Sequence, residues 1–105
     1  MNNADANARI ASALGLAMKA GKVRSGELAA EKALKSGKAA LVVIDASASE
    51  ATQKRWADAC AYAGVTLVTA CDPGRAIGRE AHMVACIVDN GFAQMILRAH
   101  KDIRS

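Results

Sequence analysis

Six cations fall within a stretch of twenty residues: Lys19, Lys22, Arg24, Lys32, Lys35 and Lys38. Only Glu27 and Glu31 oppose them there, leaving that stretch at +4, which is also the formal net charge of all 105 residues. Elsewhere positive and negative residues cancel. Clustered Lys and Arg of this kind do the chemistry of anion recognition, above all of phosphate. The pI near 9.2 points the same way, toward nucleic acid or an acidic membrane surface.

Other reactive side chains do not assemble into a site. Cys60, Cys71 and Cys86 are scattered, without the paired spacing of a zinc site. Cys60 and Cys86 sit in apolar patterns and are expected as buried thiols, with Cys71 in a loop. His82 and His100 are isolated from one another and from any nucleophile. Asp45 ends an apolar run, where active-site carboxylates of α/β folds often sit. No second carboxylate or matching lysine accompanies it, so it is expected to cap the following turn. The segment "GRAIG" lacks the spacing and the preceding strand of a nucleotide fingerprint. The chain is therefore expected to be no enzyme and to hold no metal, cofactor or small-molecule substrate.

The elements that must carry the basic stretch alternate along the chain. Hydrophobic residues make up 52% but aromatics only 3%, so the core is built from Ala, Val, Leu and Ile. A first helix is expected from Asp5 or Ala6 to Ala20, with Ile10, Leu14, Ala17 and Met18 inward and Gly21 ending it. "KVRSG" is extended, and Ser25 is positioned to cap a second helix over residues 26–36. Ala40–Ile44 reads as a buried strand. Ser47 and Glu50 match a capping box for a third helix ending at Gly64, with Thr52, Trp56, Cys60 and Ala63 inward. Val65–Thr69 is the next strand. Asp72-Pro73 opens a short helix to Arg79. Met83–Val88 is a further strand. Asn90 caps a last helix with Phe92, Met95, Ile96 and Ala99 inward. Helices between strands imply a sheet covered on both faces. The fold expected is α/β, a three-layer α/β/α sandwich with a small mixed sheet of about four strands, forming one domain over residues 1–105. The start of the chain lacks the basic-then-apolar order of a signal peptide, and no run approaches the length of a membrane span. Reduced thiols suit a cytoplasmic protein.

On a helical wheel, Ala30, Ala33 and Leu34 share the core side of the second helix, and Leu28, Glu31, Lys32 and Lys35 the other. A leucine among outward charges is either an ordinary surface apolar residue or part of a contact surface. Ahead of it, "SGE" keeps the helix start small, so that a phosphate can approach free N–H groups flanked by Lys22 and Arg24. Glu27 offsets this attraction in part.

The ordered set "LGLAMKAGKVRSGELAAEKALKSGKAALVVIDASAS", "YAGVTLV", "GRAIGREA" and "VDNGFA" resembles the ribosomal L-seven-Ae / L-thirty-e superfamily, and within it the bacterial YlxQ-type group. The resemblance covers about residues 10–98. It implies the same sandwich and binding of kink-turn or other structured RNA, ribosomal RNA included, by the start of the second helix and nearby loops. The family motif Gly-X-Asn-Glu-X-X-Lys falls on Gly26 to Lys32. Gly26 and Lys32 match, while Leu28 and Ala29 stand at the Asn and Glu positions. Leucine can neither donate to nor accept from a base edge. The RNA-binding set implied is Lys22, Arg24, Ser25, Gly26, Glu27, Leu28, Lys32, Lys35, Arg75, Arg79, Ala81, His82 and Met83. The alternative is a protein-interaction module of the same fold, with its partner at the Leu28 face.

Overall fold

The two central strands of the sheet are buried along their whole length, because their runs are apolar on both faces. The structure is a computed structural model and describes residues 3–103. Its elements in order are α1 (Asn3–Lys19), β1 (Val23–Ser25), α2 (Glu27–Lys35), β2 (Leu41–Asp45), α3 (Glu50–Ala63), β3 (Leu67–Ala70), α4 (Pro73–Ala76), β4 (Val84–Ile87) and α5 (Asn90–Lys101). The sheet is mixed, with strand order β1-β4-β2-β3. β2 and β3 are parallel, joined by the α3 crossover, while β4 runs antiparallel to both β1 and β2.

Side chains alternate across the sheet with period two. Leu41 and Val43 of β2, with Ala85 and Ile87 of β4, pack with Ile10, Leu14, Ala93 and Ile96 of α1 and α5. Val42, Ile44, Val84 and Cys86 point the other way, toward Ala30, Ala33 and Leu34 of α2 and Trp56 and Cys60 of α3. Two apolar layers therefore flank the sheet, which is the three-layer α/β/α sandwich. Full burial of each Leu, Ile or Val stabilises the fold by about 1.5–3 kcal/mol relative to exposure.

Several local expectations are corrected. Ser49, not Ser47, caps α3 by accepting from the Thr52 N–H. Ser47 is instead held by Asp45, whose Oδ1 accepts from the Ser47 N–H at 2.9 Å and its hydroxyl at 2.8 Å. Asp89, not Asn90, caps α5, accepting from the Phe92 N–H. β3 starts at Leu67 because the Val65 N–H closes the end of α3 on the Cys60 carbonyl. α4 stops at Ala76, since Gly78 turns the chain with φ +73° and the Arg79 N–H returns to the Gly74 carbonyl. Asp72, itself at φ +49°, makes no side-chain cap. Met95 and Ala63 lie exposed, and Ala93 joins Ile96 and Ala99 in the inward stripe of α5.

Candidate nucleic-acid interface

β1 and β2 run in one direction and β3 is parallel to β2, so the three strands end at one edge of the sheet. α2, α3 and α4 all start there. β4 begins at that edge, delivering the 79–83 loop. The topology thus gathers four chain segments from distant parts of the sequence.

The start of α2 differs from what its sequence suggests. The N-cap residue is Gly26, not Ser25, and no side chain caps the helix. Gly26 has φ +87° and ψ 154°, a backbone region open essentially to glycine alone. Its N–H is spent on the Val84 carbonyl at the sheet edge, and its carbonyl accepts the helical bond from Ala30. The N–H groups of the first turn precede that bond and have no partner within the helix.

Ser25 has a different task. Its hydroxyl lies 3.0 Å from His82 Nδ1. The His82 ring occupies the space beside Gly26, where an added Cβ would come within 3.3 Å of it. The loop that carries His82 is wound tightly over Gly74. A Cβ on Gly74 would meet the Arg79 and His82 carbonyls at 2.5 Å, so only glycine permits this winding. The Met83 carbonyl then accepts from the Asp45 N–H at 2.8 Å, fixing the loop to β2.

These contacts bound a cleft of about 690 Å³. One wall is Ser25, Gly26, Glu27, Leu28, Ala29 and Lys32, a second is Ala81, His82 and Met83, and the third is Ala48, Ser49 and Thr52. Eight of the thirteen residues singled out from sequence therefore line one cavity. The other five do not. Arg24 folds its guanidinium back on the Gly21 and Val23 carbonyls, at 3.0 and 3.2 Å. Lys35 pairs with Glu31 at 2.8 Å, one turn of the helix away. That hydrogen bond, reinforced by the ammonium charge, holds the Glu31 carboxyl below its ordinary value. Lys22, Arg75 and Arg79 are exposed outside the cleft lining.

Leu28 is 85% exposed, so the outward leucine of the wheel is free on the cleft wall. The Glu27 carboxylate is engaged from α3. It accepts from the indole N–H of Trp56 at 3.1 Å and forms an ion pair with Arg55, both on α3. The sequence reading missed these partners and the Ala48–Ser49–Thr52 wall. The serine that follows the Asp45 turn was the available signal for the latter.

The cysteines supply no chemistry to the cleft. Burial pushes the Cys86 thiol up to about 11 and raises that of Cys60, while Cys71 is exposed. Among the described residues no group of three or more His, Cys, Asp or Glu is arranged to hold a metal.

Residues 8–97 match the ribosomal protein L7Ae/L30e/S12e/Gadd45 family. The chain belongs to that family. It is 38% identical over 87 residues to the RNA-binding protein YlxQ of Bacillus subtilis (strain 168), covering 80% of this chain and 87% of that protein. This agrees with the YlxQ-type likeness of the sequence. Among solved structures, a protein of unknown function from Bacillus halodurans superposes with a TM-score of 0.83 at 30% identity, over 90% of this chain and 99% of that one. A 15.5kD RNA binding protein from Giardia lamblia shares the fold, with a TM-score of 0.74 at 21% identity over 92% of this chain and 86% of its own. Leu28 and Ala29 both stand on the cleft wall.

Proposed function

We propose that this chain is a non-catalytic, cytoplasmic RNA-binding protein of ribosomal-protein type, one domain that grips structured RNA at the cleft. The observation that carries this reading is the uncapped start of α2, opening on a cleft beside Lys32 and His82. The relative from Bacillus subtilis, named an RNA-binding protein, supports the class of ligand. No helix among the described residues is long and apolar enough to cross a membrane.

The mechanism has two parts. Phosphates are drawn to the N–H groups of the first turn and to Lys32, with Lys22 and Arg24 adding attraction from outside. These contacts position the RNA without reading its sequence. Shape then selects: a kink-turn-like or ribosomal bend brings backbone and an unstacked base into the cleft together, and a straight duplex cannot. Leu28 packs on the base but reads no edge of it. The loss of a polar base contact there lowers discrimination by on the order of 1–3 kcal/mol, by analogy with groove readout.

Because Leu28 is so exposed, a second reading is a protein-interaction module docking on that leucine. The two readings separate by salt. Fluorescence anisotropy of a labelled kink-turn RNA and an equal-length duplex, at two salt concentrations, tests them. RNA binding predicts preference for the bend, a log-linear fall with salt, loss in Lys32→Glu, and stronger discrimination in Leu28→Asn. Absence of binding at low salt sinks the RNA reading in favour of the protein partner.

A further inference from the structure

A carboxylate in the first turn of α2 stands where an anion is to be received. Left free, Glu27 would repel it. Two residues of α3 instead engage that carboxylate. Glu27 Oε1 accepts from Trp56 Nε1 at 3.1 Å, and Trp56 is 2% exposed, so a buried donor holds the carboxylate toward α3. A buried indole N–H ordinarily needs such a partner. Arg55, the preceding residue, forms an ion pair with the same oxygen. Arg55 does not line the cleft, whereas Glu27 does.

We infer that Arg55 is a positioning residue for the nucleic-acid interface: it cancels the Glu27 charge from behind, so that the first-turn N–H groups present a net positive end to phosphate. This rests on the reading of the cleft as an RNA site. It assigns Arg55 an effect exerted through Glu27, not by touching RNA. The consequence is a specific pattern of double-mutant behaviour. Arg55→Ala leaves Glu27 uncompensated and weakens binding by about fivefold, the scale of one exposed charge pair. Glu27→Gln removes the charge yet keeps an acceptor for the Trp56 N–H, so binding strengthens. The Glu27→Gln/Arg55→Ala double variant returns toward wild type.

The experiment is anisotropy of the full chain with the labelled kink-turn RNA across a salt series, for wild type and the three variants, with thermal melts confirming that each folds. The expected result is a loss in Arg55→Ala that Glu27→Gln repairs, with the slope of log affinity against log salt unchanged. A loss that Glu27→Gln does not repair, with a slope shallower by about 0.7–0.9, means that Arg55 touches phosphate itself and overturns the inference. Unchanged affinity in Arg55→Ala overturns it as well. Failure of the wild type to bind either RNA at low salt overturns the cleft reading, and this inference with it.

Discussion

The two edges of the sheet begin their helices differently. At one edge α5 starts under a side-chain cap, with the Asp89 carboxylate accepting from the Phe92 N–H at 2.9 Å. At the other edge α2 starts with Gly26 and no cap. α3 starts on the same edge as α2 and is capped by Ser49, whereas the single-turn α4, also on that edge, has no side-chain cap; α2 is the longer helix there that starts bare. A side-chain cap contributes about 1 kcal/mol. Its omission at α2 leaves donors exposed where the chain also concentrates its positive charge. The capped edge serves stability. On the proposed reading, the bare start of α2 gives up about a few tenths of a kcal/mol, the deficit of a glycine at the cap position, for donors that a ligand can use.

The strongest way to break this contrast is at Gly26. Gly26→Ala forces a side chain into a glycine-only backbone region and toward the His82 ring. Denaturant melts should show a loss of about 1–3 kcal/mol, and binding to a kink-turn RNA should be abolished. Wild-type stability in this variant would mean that the strained conformation is not required. At the opposite edge, Asp89→Ala should cost about 1 kcal/mol and leave RNA affinity untouched. A matching fall in affinity would show that the two edges are not independent.

A finer probe uses the thiols. Cys60 and Cys86 lie in the apolar layer beneath α2 and α3, and Cys71 is exposed. In native protein at pH 8, a thiol reagent should label Cys71 quickly and the other two only on unfolding. Gly26→Ala should speed the slow pair, and Asp89→Ala should not. The raised thiol also sets a pH dependence. Cys86 ionises near 9 when unfolded and at about 11 when folded. Its contribution is therefore complete below pH 9 and is lost as pH rises toward 11. Melts at pH 8 and 10.5 should show a fall at the higher pH.

The architecture was readable because apolar runs such as Ala40–Ile44 and the stripe Ala30, Ala33, Leu34 follow the periods of strand and helix. The layers they imply are those observed. Caps were less readable. Ser47 satisfies the capping-box pattern, yet Asp45 claims it two residues earlier in the chain. Ser25 satisfies the cap preference, yet His82, 57 residues on, engages its hydroxyl. Competition between local and distant partners is invisible to a spacing rule. The same holds for Glu27, whose partners Arg55 and Trp56 lie on another helix. Lys35 is the opposite case. Its i,i+4 partner Glu31 was present in the sequence, and the pair takes Lys35 out of the set that meets in the cleft. The wall of Ala48, Ser49 and Thr52 belongs to the cleft only because β1 and β2 end at the same edge of the sheet, which is a fact of topology.

The most direct test of the contrast between the edges is amide mapping by NMR. A kink-turn RNA would be titrated into labelled protein, following the N–H signals of Glu27, Leu28 and Ala29 against those of Gly91 and Phe92. The account predicts large shifts in the first group and in Ala81, His82 and Met83, with the second group still. Shifts concentrated at the start of α5, or spread evenly over both edges, would contradict it.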